Sequence, residues 1–456
     1  MDMRLFEDKR FYKTFLHIAV PIALQQLVSS SVNLLDVLMV GQMGEVSIAS
    51  LGLSNQVFFL FSVILFGISS GSAIFTAQYW GKRDIGNIRK VLGIGLTLSI
   101  SVGILFTLGA VIFPEKMLGF YTKDLAVIEL GSGYLSIVGF SYILTAITYC
   151  YVAVLRSTQR VKLPMAVTVV ALSMNILLNY ALIFGNFGLP ALGVRGAAIG
   201  TAVSRSVECV LLLTLTYALK TPAAGRIREL FNFDLVFFKR ILTTSFPALM
   251  NEVIWAFGIT TYNSIYAHIG TEAIAAVNIN STIENMAFVA FIGAANASAI
   301  MIGNQIGSGR EYLAYDYGKR FIVLGVVGAL LVGIVLVLLR GPLLSLYNIT
   351  ATSYFYSNRL LLIFSSTMWV RVTNMIIFIG VLRSGGDTRF ALATEAVAVW
   401  LVGVPAAMIG ASIFKLPIYW VYSLAMMEEI SKLFVIFRRF TSKRWINNLT
   451  KQPAEI

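Results

Sequence analysis

The chain has 456 residues, 57% of them hydrophobic and 12% charged, with a formal net charge of +13 and a mean hydropathy of +0.81. A water-soluble chain of this length carries roughly twice that charged fraction, so a soluble globular fold is excluded. The only histidines are His17 and His268, and Cys150 and Cys209 lie in apolar runs without ligand spacing, so neither a His-ligated metal enzyme nor disulfide chemistry is supported.

Twelve hydrophobic segments follow in order, at 14–41, 46–80, 91–113, 126–154, 163–185, 190–219, 238–266, 272–306, 320–340, 354–382, 390–413 and 417–437. At 1.5 Å per helical residue, runs of this length cross a hydrocarbon core of roughly 30 Å. Their period is helical and no short alternating strands stand out, which argues against a β-barrel. The start, MDMRLFEDKRFYKTF, is charged and leads into a full-length span, so no cleavable signal peptide is expected. The loops, termini and adjoining span ends on the side of the two termini hold 27 Lys and Arg, those on the opposite side 6. Such an asymmetry predicts a multi-pass plasma-membrane protein with both termini cytoplasmic. The basic residues punctuate the apolar runs instead of forming a nucleic-acid patch, so no nucleic-acid partner is expected.

The chain also repeats itself. At an offset of 226 residues Pro21 meets Pro247, Gly44 meets Gly270, Gly67 meets Gly293, and Ser72-Ala73-Ile74 meets Ser298-Ala299-Ile300. After a one-residue gap, Val154-Leu155-Arg156-Ser157 meets Val381-Leu382-Arg383-Ser384. Each repeat has an even number of spans, so both keep one topology and a pseudo-twofold axis along the membrane normal is expected. The predicted class is an all-α integral membrane fold of twelve transmembrane helices in two six-helix bundles. The predicted divisions are an N-terminal lobe at 1–222, a cytoplasmic linker at 223–237, and a C-terminal lobe with a basic tail at 238–456. Two parallel bundles around a cleft suit alternating access, so a transporter is expected over a channel or receptor.

Ionisable groups inside hydrocarbon are costly and mark candidate sites. Asp36 lies near the outer end of the first span. Asn175 and Asn179 on the fifth are four apart and share a helix face, and Thr201 lies at similar depth on the sixth. These oxygens could bind Na⁺, a hard cation, or Asp36 could carry a proton; the same set would also serve to lock helices together. The second half does not copy this set, because the repeat places Tyr262 opposite Asp36. It carries Glu252, Glu284 and Arg371 near mid-membrane instead. Two acids and one base leave a spare negative charge, suited to a proton or a cationic substrate. The alternative is a buried ion pair with one neutral glutamate. Arg205 with Glu208, and Glu428 and Glu429 with Lys432, read as internal structural pairs, and Glu395 falls near the cytoplasmic end of the eleventh span.

The stretches PIALQQLVSSSVNLLDVLMVGQMG, VLRSTQRVKLPM, NILLNYALIFGNFGLPALGVRGAAIGTAVSR and VLRSGGDTRF resemble the multidrug and toxic compound extrusion (MATE) family over essentially the full length. The resemblance implies secondary active export of organic, often cationic, compounds by a monomer among membrane lipids, driven by Na⁺ or H⁺, with no cofactor and no enzymatic activity. It also implies a cation site in the N-terminal lobe, onto which Asp36, Asn175, Asn179 and Thr201 map. Some members carry Asp where this chain has Asn179, which lowers the negative charge here. Glu252 resembles the family's acid on the seventh span, but the acid that some members add on the tenth is missing, with Arg371 and Asn374 nearby instead. The alternative function is a lipid-linked oligosaccharide flippase of the wider superfamily. An enzyme is disfavoured, since no GxSxG, His cluster or phosphate-binding loop occurs.

Overall fold

The computed structural model describes residues 8–347 and 349–451. Among these residues the secondary structure is helical throughout, without strands. Hydrocarbon offers the backbone no partners, and a helix satisfies its own N–H and C=O groups within one segment.

Twelve helical segments follow the twelve predicted ones. They are α1 Lys9–Gly41, α2 Glu45–Lys82, α3 Ile85–Ile112, α4 in two pieces (Leu125–Gly139 and Tyr142–Ser157), α5 Lys162–Phe184 and α6 Val194–Ala218. The second half contains α7 Leu235–Ile269, α8 Thr271–Gly307, α9 Glu311–Leu344, α10 Ala351–Leu382, α11 Thr388–Ile413 and α12, again in two pieces (Ile418–Ala425 and Met427–Thr441). Among the described residues nine helices are long and apolar enough to cross a bilayer singly, and α4, bent by 51°, makes a tenth. The other two are the polar ones. Helix α7 carries Asn251 and Glu252, and α12 is interrupted at Met426 and carries Glu428, Glu429 and Lys432.

Local signals set the boundaries. Asp84 caps α3 by accepting from the Asn87 amide at 3.0 Å, and Asp124 caps α4 by accepting from Ala126 at 3.0 Å. The tight links α1–α2 and α7–α8 turn at the repeated glycines Gly44 (φ 107°) and Gly270 (φ 151°), a region that favours glycine. Helices α10 and α11 contain π-helical turns at Ile376–Leu382, Ala398–Gly403 and Ile409–Ile413. Such turns often accompany functional sites.

By contact the chain forms two compact units. One is Leu24–Ser245, with the 223–237 linker packed inside it; the other joins the described residues before Leu24 to those from Phe246 onward. The borders therefore fall inside α1 and α7, close to Pro21 and Pro247. The reason is small-residue packing, which lets helix backbones approach closely. A side chain at Gly71 of α2 would collide with Ser245 of α7, and one at Gly293 of α8 would meet the Ala19 carbonyl of α1 at 2.6 Å.

Each unit has its own apolar core. Phe61, Leu65, Leu135 and Tyr142 anchor the first, and Tyr266, Leu360, Val421 and Tyr422 the second. Each is also tied across its loop ends. In the first unit Leu230 packs on Gly93, and Arg89 pairs with Glu229 at 2.9 Å. In the second, buried Trp445 packs on Gly385, and Arg439 pairs with Asp387 at 2.6 Å.

Candidate functional site

In the first unit the four residues singled out from sequence come together. Asn179 on α5 is fully buried and donates from Nδ2 to Asp36 Oδ1 on α1 at 2.8 Å. The same nitrogen lies 3.4 Å from Asn175 Oδ1, and Asn175 donates to Thr201 Oγ1 on α6 at 3.5 Å. The four-residue spacing on α5 puts both amides on one face, as predicted. Gly200 makes the approach possible, since a Cβ there would collide with Asn179 Oδ1. That oxygen is buried and has no hydrogen-bond partner among the described residues. A buried acceptor without a donor is costly, and it fits a site completed by a cation. The carboxylate, two amide oxygens and a hydroxyl form a hard-oxygen set.

Arg205 does not pair with Glu208 as the spacing suggested. Its guanidinium lies over the Phe58 ring, 3.9 Å from the centroid. Glu208 instead accepts from Thr168 at 2.7 Å, Thr168 accepts from Gln25 at 2.8 Å, and Gln25 accepts from Arg156 at 2.5 Å. This chain of bonds ties α1, α4, α5 and α6 together through groups below the Asp36 set.

The second unit separates the three residues predicted there. Glu284 on α8 pairs with Arg371 on α10 at 2.9 Å and accepts from the Tyr422 hydroxyl at 2.7 Å. Glu252 on α7 pairs elsewhere, with Arg383, which also donates to Asn251 at 2.6 Å. The sequence count of two acids to one base therefore omitted a base. Arg383 falls between the predicted spans 354–382 and 390–413, yet it is 5% exposed and neutralises Glu252. The signal lay in the repeat. Arg156 and Arg383 align, as do Gln25 and Asn251, and in both units the arginine donates to the aligned amide oxygen. Only the second half adds a carboxylate, one residue further on.

The MatE family model matches residues 21–181 and 247–409. The probable multidrug resistance protein NorM of Thermotoga maritima is 24% identical over 444 residues, covering 95% of this chain and 93% of its own length. The protein of the same description from Rhizobium meliloti is 28% identical over 402 residues, 86% of this chain and 85% of its own length. Among solved structures, a MOP superfamily transporter from Pyrococcus furiosus superposes with a TM-score of 0.86 at 18% identity, over 96% of this chain and 97% of that one. A mutant of the Vibrio cholerae MATE transporter VcmN gives 0.87 at 19% identity, over 97% and 99%. With its helices, its internal repeat and both halves matched, the chain belongs to the MatE family and is a multi-pass membrane transporter, not an enzyme.

Proposed function

We propose that this transporter is a secondary active multidrug exporter, antiporting organic and often cationic compounds against Na⁺ or H⁺ by alternating access of its two units. The relatives' description as multidrug resistance proteins supports the export of drugs. The observation that carries the coupling reading is Asn179. Its nitrogen is committed to Asp36, and its oxygen is buried without a donor. In this reading Asp36 supplies the negative charge, and Asn175, Asn179 and Thr201 supply neutral oxygens. A single carboxylate matches a single monovalent charge, so occupancy neutralises the site and vacancy leaves a buried charge that favours another conformation. The protein acts as a monomer in the plasma membrane with both termini cytoplasmic, the side favoured by its 27 to 6 split of Lys and Arg.

The test is efflux of a fluorescent organic cation from vesicles holding the purified protein, under an imposed Na⁺ or proton gradient. One gradient drives efflux in the wild type, and Asp36→Asn lowers it by more than about tenfold, equivalent to about 1.4 kcal/mol. Undiminished gradient-driven efflux by Asp36→Asn would sink the assignment.

A further inference from the structure

The second unit contains a buried acid–base cluster that the Asp36 site does not use. At its centre Lys432 of α12, 4% exposed, faces three glutamates. Its Nζ lies 2.6 Å from Glu428, 3.2 Å from Glu429 and 3.3 Å from Glu395 of α11. The Tyr262 hydroxyl of α7 donates to Glu428 at 2.5 Å, and Asn374 of α10 donates to Glu429 at 2.6 Å. Tyr262 is the residue that the repeat places opposite Asp36. The position that carries an acid in the first half thus reaches, in the second, an acid on another helix. Gly403, ending a π-helical turn of α11, leaves room for this bond, because a Cβ there would collide with Tyr262 and meet Glu428 at 2.9 Å.

The remaining charged and titratable groups around the cluster do not balance it. On α8, Glu284 is neutralised by Arg371 of α10, with Tyr422 of α12 bonded to both. Tyr266 of α7 lies beside the Tyr262 and Tyr422 rings, centroids 6.2 and 6.3 Å away. Among the described residues Lys432 is thus the one cation paired with these three carboxylates, leaving two negative charges uncompensated if all are ionised. Buried charge without a partner is costly, so the cluster gains from taking up positive charge. Among the described residues no three acidic, His or Cys side chains are disposed to hold a metal ion. A second observation marks the cluster as unfinished. Asn374 is 3% exposed, its amide nitrogen sits on Glu429, and its Oδ1 has no hydrogen-bond partner among the described residues.

The three acids are not equally held. Glu428 has two short bonds, to Lys432 and Tyr262, and Glu429 has Asn374 as well as Lys432. Among the described residues Glu395 has only Lys432, at 3.3 and 3.5 Å. It is 6% exposed and lies seven residues into α11, about 10 Å from that helix's start.

We propose that the Lys432 cluster is a second ion-coupling site, specific for protons, with Glu395 as the group that takes up and releases the proton. Uptake adds H⁺ to a Glu395 carboxylate oxygen and removes one negative charge; release returns the proton to water and restores the charge. Lys432 stays charged between Glu428 and Glu429 in both states. The proposal rests on the transporter reading, but its test does not depend on transport. Infrared spectra of the full chain in lipid nanodiscs, stepped from acid to alkaline pH, report protonated carboxyl groups through their C=O stretch. A carboxyl band that titrates in the wild type is expected to be retained in Asp36→Asn and lost in Glu395→Gln. Glu395→Asp, which keeps the acid on a shorter arm, is expected to restore the band with a shifted midpoint. An unchanged band in Glu395→Gln, or an unshifted one in Glu395→Asp, overturns the proposal.

Discussion

In the first unit Asp36 is held by a neutral amide, and Arg205 turns onto an aromatic ring instead of bonding to it. In the second unit Glu252 and Glu284 each have a cation to themselves, Arg383 and Arg371, while Glu395, Glu428 and Glu429 share Lys432. One duplicated framework therefore presents two electrostatic environments. A carboxylate bonded only by neutral groups is open to an exchangeable cation, whereas one bonded to a fixed arginine already has its charge met. In the proposed reading, depth in the membrane does not separate an ion site from an internal ion pair; whether the acid has a cation to itself does.

The comparison can be broken most sharply at Arg383. Removing it by Arg383→Ala strands the Glu252 charge, and breaking a buried pair in this way costs about 3–5 kcal/mol. The expected result is a marked fall in melting temperature in detergent, with partial recovery in the double variant carrying Glu252→Gln. The equivalent change Arg156→Ala breaks a bond to the neutral Gln25 oxygen, so a smaller loss of about 1.5–3 kcal/mol is expected in the same melting experiment. Equal losses at the two arginines would mean that the added carboxylate does not distinguish the units. Gly403→Ala forces a Cβ against Tyr262 and Glu428, and overpacking costs about 1–3 kcal/mol. Gly52→Ala, also inside a helix but with open space at its Cβ, is the control expected not to lower the melting temperature. The smallest effect is expected at Asn175→Ala, whose bond to Thr201 is long at 3.5 Å. It should weaken the dependence of efflux on the coupling ion by about threefold while stability changes by less than about 1 kcal/mol.

Much of this architecture was legible in the sequence, because hydrocarbon imposes long apolar helices. The repeat was legible because Pro21 and Pro247 lie inside the first helix of each half, and Gly44 and Gly270 make the turn that follows it. The Asp36 set was readable for a similar reason, since helix spacing alone puts Asn175 and Asn179 on one face. What could not be read was pairing between distant helices. Arg205 and Glu208 are three apart, but each finds a better partner across a helix interface, Phe58 and Thr168. Arg383 sits in a motif that looked like a loop, and only folding brings it to Glu252. The isolated acids Glu395 and Glu428 lie 33 residues apart in sequence, and only the packing of α11 on α12 gathers them at Lys432.

The central claim is that the neutral-bonded Asp36, and not the arginine-bonded Glu252, carries the coupling ion. Gradient-driven efflux by Asp36→Asn and Glu252→Gln, reconstituted side by side at equal amounts of folded protein, tests it most directly. The account predicts that efflux is lost in Asp36→Asn and persists in Glu252→Gln. Efflux that persists in Asp36→Asn and is lost in Glu252→Gln would contradict it.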